Sequence, residues 1–224
     1  MFNKKTASEK KLVAAHKKEK IARAALQKKC KEKELEDYHK ANFEVLFYER
    51  KIADEKGQAF AERIEFPYLW DTGAPLPHFF SNDSDAFLFF LGKIEDPNWD
   101  GTYVNEISPN DEPPMPWILV EFKQCLIAKF GSPNDETFGG HPLAGKGLEL
   151  YAPMIVRNST WIREVKAINK AHPSYKENYW SDYNHYLFGF HGNTFECIAK
   201  SFHAERQVIL LEEFMKNVCL KLNS

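Results

Sequence analysis

The stretch His185–Lys200, HYLFGFHGNTFECIAK, alternates between two sets of residues on both sides of Gly192-Asn193, as paired strands do. Glycine in the first position of a two-residue loop favours a type II′ hairpin turn. On that register one face of the hairpin is apolar and belongs in the core, and its members are Tyr186, Phe188, Phe190, Phe195, Cys197 and Ala199. The stretch therefore predicts an antiparallel sheet with one buried face.

The opposite face of the hairpin is more polar. Its members are His185, Leu187, Gly189, His191, Thr194, Glu196, Ile198 and Lys200. His185 and His191 are separated by about 20 Å along one strand, so they cannot bind the same metal ion. His191 and Glu196 are diagonal neighbours across the strands, and a carboxylate that orients an imidazole suits general acid or base chemistry. We take this pair as candidate catalytic residues; a solvated sheet face and a ligand-binding or partner-binding surface are the alternatives.

A glycine-rich segment, GHPLAGKG at residues 140–147, supplies a third candidate. It matches part of a phosphate-binding loop, but Gly147 replaces the Ser or Thr that holds Mg²⁺ and Pro142 removes a backbone donor, so we do not expect nucleotide binding. If this segment folds over the hairpin, His141 joins His191 and Glu196, and the three could coordinate a metal or polarise a water. The identity of any metal or cofactor stays open.

Other common catalytic patterns are absent from the sequence. It contains no G-x-S-x-G and no H-E-x-x-H motif. The cysteines Cys30, Cys125, Cys197 and Cys219 lie far apart without a CxxC pair, which predicts reduced, buried thiols rather than a zinc or redox motif. Cys197 falls on the apolar face of the hairpin, which argues against a nucleophilic thiol.

The 224 residues, 43% of them hydrophobic, suffice for one substantial core and an appendage. Residues 1–56 contain 16 Lys+Arg and 10 Asp+Glu, a balance of +6, which leaves −8 on residues 57–224. We predict a basic N-terminal arm over 1–56 and a single globular domain over 57–224. With neither a signal peptide nor a membrane-spanning apolar run, the sequence predicts a soluble cytoplasmic protein.

The arm has no Pro or Gly between residues 7 and 53, which predicts one long helix. Its apolar residues concentrate in ANFEVLFYERKIA, residues 41–53, so this end is expected to dock on the body while about 35 residues project. Its lysines surround the helix and alternate with glutamates, which favours a solvated or protein-binding helix over a nucleic-acid site. Residues 1–40 are thus expected to bind a protein partner or a second copy; no membrane contact is expected.

The body shows short strand-like runs followed by helices, which predicts an α+β fold: a mainly antiparallel β-sheet with flanking helices. The predicted strands are RIEFPYLW (63–70), FLFFLGKI (87–94) and WILVEFKQCLIAKF (117–130), the last with a bend near Lys123-Gln124. The predicted loops and turns are DTGAPLPHFFSNDSD (71–85), NWDGTY (98–103) and SPNDEPPMP (108–116). One predicted helix is NSTWIREVKAINKAH (158–172), capped by Asn158 or Ser159, with Trp161, Val165 and Ile168 facing inward. The other is ERQVILLEEFMKNVCLKL (205–222), with Val208, Leu211, Met215, Val218 and Leu222 facing inward.

From about Gly73 to Phe202 the chain resembles an uncharacterised family of bacterial proteins. The resemblance rests on GAPLPHFFS, VEFKQCLIAKFGSPNDE, GHPLAGKGLELYA, NSTWIREVKAINKAH and HYLFGFHGNTFECIA. It implies a bacterial origin and brings no activity, fold or ligand.

Two functional hypotheses follow. The first is a cytoplasmic binding protein whose helical arm engages a partner or another copy. The second is a hydrolytic or metal-assisted enzyme in which His191 is a base or ligand, Glu196 orients it or binds the metal, and His141 is a further ligand or donor.

Overall fold

A computed structural model describes residues 5–94 and 114–222 of the chain. It contains the helices α1 (Ala7–Lys29), α2 (Glu32–Glu55), α3 (Thr160–Asn169) and α4 (Leu211–Leu222). Its strands are β1 (Phe60–Arg63), β2 (His78–Ser81), β3 (Ala86–Leu91), β4 (Met115–Lys123), β5 (Ile127–Gly131), β6 (Pro153–Arg157), β7 (Asn184–Gly189), β8 (Thr194–Ala199) and β9 (Ser201–Ile209). The predicted α+β class is confirmed. The predicted turn at 98–103 and most of the connector at 108–116 lie outside the described residues.

The strands form two antiparallel sheets that pack face to face. One has the order β1-β6-β7-β8-β5 and the other β2-β3-β4-β9. Side chains of β3 and β4 such as Phe90 and Phe122 meet Phe188 and Phe195 of the hairpin in a shared aromatic core. The β3 strand is buried on both faces, because α4 covers its other side, which is why its sequence is apolar throughout rather than alternating.

The apolar run at 117–130 supplies a strand to each sheet. The bend predicted near Lys123-Gln124 is confirmed: β4 ends at Lys123, and Gln124 has a φ of +50°. After this turn β5 pairs with β8 in the five-stranded sheet. The turn after β4 thus carries the chain from the four-stranded sheet to the five-stranded sheet.

The arm is a hairpin of two helices, which corrects the prediction of one continuous helix. Cys30 adopts a left-handed conformation with φ +44°, and its amide donates to Leu26 O at 2.8 Å, which ends α1. The chain then reverses, so α1 lies along α2 instead of projecting, with Lys18 bound to Glu44 at 2.8 Å. Neither Gly nor Pro marks this reversal, so the composition of the arm gave no signal of it.

Three further assignments in the body differ from prediction. In the predicted strand 63–70 only Arg63 is in a strand; the chain then runs irregularly and buries Trp70 in the core. The predicted loop 71–85 contains β2, and residues 205–209 of the predicted C-terminal helix belong to β9, which pairs with β4 along its whole length. Pairing across the sheet outweighs the helical pattern there, and Val208 is consequently exposed.

The two body helices keep most of their predicted faces. Ser159, one of the two predicted caps, caps α3 by accepting a hydrogen bond from Ile162 N. Of the residues predicted to face inward, Trp161 is buried but Ile168 is 74% exposed. In α4 the predicted Val218 is buried. Its fully buried Phe214, which packs on Phe89 and Trp117, was not predicted.

The cysteines do not all follow expectation. None of the four forms a disulfide, and Cys197 is buried, but Cys30 and Cys219 are exposed and Cys125 is half-buried. Among the described helices, none combines the length and the apolar character needed to cross a membrane. The division into an arm over 1–56 and one domain over 57–224 stays a prediction.

Candidate functional site

The hairpin of β7 and β8 forms with a longer loop than predicted. Gly189 pairs with Thr194, and the loop comprises four residues, closed by a hydrogen bond of 2.8 Å from Phe190 N to Asn193 O. The register is therefore shifted by two residues. Because side chains alternate with a period of two, this shift leaves both faces unchanged, and the predicted core face is confirmed.

Other parts of the chain cover most of the second face of the hairpin. Leu187, Ile198 and His185 on this face are all buried. Helix α3 covers one part through Trp161, whose ring lies 5.1 Å from that of His185. The loop between β5 and β6 covers another part, where Leu187 packs in one cluster with side chains of that loop. The buried polar groups of this face therefore need hydrogen-bond partners within the protein.

Glu196 is the centre of these bonds. Its Oε2 lies 2.8 Å from His185 Nε2, and its Oε1 lies 3.8 Å from His141 Nε2. The Glu196 side chain is only 15% exposed, and both imidazoles are more deeply buried. The structure thus brings His141 and Glu196 together, as the enzyme hypothesis requires, with His185 in the place predicted for His191.

The network continues from His185 to Ser159. His185 Nδ1 lies 2.9 Å from Ser159 Oγ, and Ser159 Oγ accepts a hydrogen bond of 3.1 Å from Ile162 N. With the Ile162 amide donating to Oγ, the Ser159 hydroxyl can donate its own proton to Nδ1 of a neutral imidazole. His185 Nε2–H then donates to Glu196, so one tautomer of His185 satisfies both of its contacts.

His141 is oriented by its own loop. Its Nδ1 accepts a hydrogen bond of 3.2 Å from Leu143 N, which places the proton on Nε2, the atom directed at Glu196. Burial by itself raises the pKa of Glu196. The nearby imidazoles of His141 and His185 outweigh that effect and hold the pKa of this carboxyl well below its usual value. Glu196 is accordingly an ionised acceptor near neutral pH.

The position of Ser159 follows from a tight strand-to-helix connection. The β6 strand ends at Arg157, Asn158 takes a positive φ of +51°, and Ser159 caps the N-terminus of α3. A non-glycine residue in the left-handed region is uncommon, and such residues concentrate at functional sites. An open cleft of about 290 Å³ lies here, and Ser159 is part of its wall; the other lining residues are Ile155, Val156, Arg157, Asn158, Ile162, Arg163, Tyr183 and Asn184.

His191 belongs to a separate cluster, which corrects the predicted His191–Glu196 pair. Its Nδ1 lies 2.8 Å from Asp135 Oδ2, and its side chain is 57% exposed. Tyr151 OH donates to the same oxygen at 2.6 Å. Hydrogen bonds from Tyr151 and His191 lower the pKa of Asp135, whereas burial and this carboxylate raise the pKa of Tyr151 to about 12. A carboxylate does orient His191, but it comes from the loop after β5, not from the hairpin.

From the sequence, Ser159 was identified only as a possible helix cap, and His185 was not chosen as a candidate site residue. The signal for His185 was its place on the same hairpin face as Glu196; the signal for Ser159 was weak, because capping serines are common. Within residues 5–94 and 114–222, no group of three or more His, Cys, Asp or Glu side chains is arranged to hold a metal ion. The metal-assisted form of the enzyme hypothesis thus gains no ligand set there.

The chain matches no protein-family model, no curated protein and no solved structure. The resemblance to a bacterial family stays a prediction, and functional inference depends on the chemistry of the side chains.

Proposed function

We propose that this protein is a hydrolase that cleaves carboxylic esters or amides, with Ser159 as nucleophile. The observation that carries the proposal is the continuous hydrogen-bond chain from Ser159 Oγ through the His185 ring to the Glu196 carboxylate. Serine, imidazole and carboxylate linked in this order form the arrangement that activates a hydroxyl for acyl transfer. This hydrogen-bond chain supports a hydrolytic enzyme more than the predicted His191 site does, because Tyr151 OH, which lies 3.5 Å from His191 Nδ1, already donates its proton to Asp135.

The reaction divides into two steps. Ser159 Oγ attacks the substrate carbonyl carbon while His185 Nδ1 accepts the hydroxyl proton; the C–O or C–N bond then breaks, and His185 returns the proton to the leaving alcohol or amine. A water molecule next gives a proton to His185 and attacks the acyl carbon, which releases the acid and restores Ser159. His185 is the base and then the acid in each step.

Glu196 and the start of α3 support the charged species. When Nδ1 gains a proton, the ring carries a positive charge, and Glu196 beside Nε2–H stabilises it. His141 positions Glu196 from the other side. The first amides of a helix have no acceptor within it, so the N–H groups of Thr160 and Trp161 could stabilise the oxyanion on the carbonyl.

Hydrolysis of 4-nitrophenyl acetate, together with labelling by a fluorophosphonate, tests this proposal. We expect wild type to hydrolyse the ester and to carry the label on Ser159. Ser159→Ala should lose both, and Glu196→Gln should reduce kcat by about 10³-fold or more. Ser174→Ala removes an exposed hydroxyl shortly after α3 and should retain full activity. A label on another residue, or unchanged hydrolysis by Ser159→Ala, contradicts the proposal.

Folding of the variants must be separated from catalysis. Ser159→Ala removes a helix cap, which costs about 1 kcal/mol, so the variant should stay folded. Circular dichroism and thermal unfolding check this. If Ser159→Ala does not fold, covalent labelling of wild type and the Glu196→Gln variant still decide the question.

A second candidate is self-association through the arm, the binding function expected from the sequence. Phe43 and Phe47 lie one turn apart on α2 and are 66% and 50% exposed. The arm carries +6 and the rest of the chain −8, so the arm of one copy is electrostatically complementary to the body of another. We infer a second copy as the partner of this face.

Light scattering coupled to size-exclusion chromatography tests self-association. We expect oligomers at low salt that dissociate at high salt and in a Phe43→Ser/Phe47→Ser variant. Leu220→Ser, at an exposed apolar residue of α4, is the matched control and should associate like wild type. A monomer at every concentration and salt condition contradicts this candidate.

A further inference from the structure

We propose that the substrate carries a carboxylate on its acyl chain, which Arg163 binds at the opening of the Ser159 cleft. This inference rests on the proposed hydrolytic function and adds a substrate class to it. It starts from three observations on α3: the position of Arg163 relative to Ser159, the hydrogen bond that holds its guanidinium, and the charges around the cleft.

Arg163 lies four residues after Ser159, so helical geometry puts both on one face of α3. Both residues line the same cleft. Arg163 Nη1 donates to Asn158 O at 2.8 Å, which holds the guanidinium beside the residue that precedes the nucleophile. A guanidinium has five N–H donors in a planar fork, so most of them stay available after this bond, and their geometry matches a carboxylate.

The charge around Arg163 also favours an anion. Among the described residues, no Asp or Glu forms an ion pair with Arg163. The other arginine of the cleft, Arg157, is paired with Glu62 at 2.9 Å. The first turn of α3 contains no acidic residue. Within the part of the chain that the structure describes, the cleft therefore presents one cation, Arg163, that has no counter-ion and lies next to the proposed nucleophile. An anionic group of the substrate would supply the counter-ion.

The space between the two residues suits a short acyl chain. Four residues of helix correspond to a rise of about 6 Å, which about four methylene groups span. Ile155 and Ile162 line the cleft and provide apolar contacts for such a chain. A half-ester of a linear dicarboxylic acid is thus the simplest substrate that reaches both Ser159 and Arg163.

The test compares two esters that differ in charge, 4-nitrophenyl hydrogen adipate and 4-nitrophenyl heptanoate. We expect wild type to favour the anionic ester in kcat/KM by about 10- to 100-fold, the range of one charge-assisted hydrogen-bonded pair. Arg163→Gln should lose this preference mainly through KM and leave heptanoate hydrolysis nearly unchanged. Lys170→Gln, which removes an exposed cation at the other end of α3, should keep the preference.

Binding separates this inference from the proposed function. Calorimetric titration of monomethyl adipate into Ser159→Ala, with and without Arg163→Gln, measures anion binding without turnover. Binding that Arg163→Gln removes and Lys170→Gln retains supports the carboxylate site even if no ester is hydrolysed. Equal hydrolysis of both esters by wild type and Arg163→Gln overturns the carboxylate site and leaves the hydrolase in place. Absence of binding in Ser159→Ala, together with absence of any preference, also overturns it.

Discussion

Glu196 shows how one residue acquires its properties from neighbours that are distant in the chain. His141 comes from a loop, His185 from the adjacent strand, and both direct an Nε2 atom at the same carboxylate. A buried carboxylate without such donors would be protonated or strongly destabilising. The ionised state of Glu196 therefore depends on the two imidazoles, and so does its contribution to folding.

The pH dependence of stability should show the contribution of ionised Glu196 to folding. The pKa of Glu196 is lowered in the folded protein, so its stabilising contribution is complete above its unfolded pKa of about 4.3 and is lost as pH falls through the folded value. Glu196→Gln should lower the free energy of unfolding by about 1–3 kcal/mol at neutral pH. The difference from wild type should shrink as the pH falls below about 4.

Urea denaturation from acidic to neutral pH measures this difference. Glu164→Gln, at an exposed glutamate of α3, is the control and should remain close to wild type throughout. If Glu196→Gln lowers the free energy of unfolding equally at acidic and neutral pH, the imidazoles do not stabilise the negative charge of Glu196.

Among the elements, the α1–α2 hairpin departs most from its sequence pattern. The arm has high helix propensity throughout, yet α1 ends where Cys30 takes a left-handed conformation. Glycine is the residue usually found at this position after a helix, because it has no Cβ to clash there. Packing of α1 on α2, with Ala15 fully buried, compensates for the unfavourable backbone of Cys30.

The same substitution should therefore have opposite effects at the cap after α1 and within α4. Cys30→Gly should raise the free energy of unfolding by about 0.5–1 kcal/mol, because it removes the left-handed strain. Cys219→Gly, in the interior of α4, should lower it by a similar amount of about 0.5–1 kcal/mol. Chemical denaturation followed by circular dichroism measures both. Destabilisation by Cys30→Gly would show that the hairpin does not reverse at Cys30.

In the whole molecule, the arm and the candidate site meet at one loop. Arg50 of α2 donates to Ala61 O at 2.9 Å and to Gly147 O at 3.2 Å, and its Nη2 pairs with Glu149. Gly147 is the last residue of the glycine-rich segment that also carries His141. Docking of α2 thus holds the loop that positions His141 beside Glu196.

Arg50→Met should affect stability and catalysis together. It removes the hydrogen bonds of a charged group and leaves Glu149 without its partner, so we expect a loss of about 2–3 kcal/mol in the free energy of unfolding. We also expect slower ester hydrolysis, because the loop with His141 loses its support. Lys51→Met, at the exposed neighbouring residue, should change neither. Normal hydrolysis by a destabilised Arg50→Met would show that α2 does not influence the site.

Local periodicity and turn chemistry were enough to predict several features of this protein. The two faces of the β7–β8 hairpin, the α+β class, the bend near Lys123-Gln124 and a cap of α3 at Asn158 or Ser159 all follow from residues close together in the chain. The hairpin faces were correct even though the loop is longer, since a shift of two residues preserves them. His141 and Glu196 could likewise be chosen as candidates from residue type and context.

Which of these groups come into contact depends on tertiary packing. Helix α3 and the β5–β6 loop cover much of the polar face of the hairpin. In this arrangement Glu196 contacts His185 and His141, whereas His191 contacts Asp135. Residues 135, 141 and 159 reach these contacts through loops whose paths are set by packing over long chain separations. Side-chain hydrogen bonds depend on positions within a few tenths of an ångström, and local sequence patterns do not carry that information.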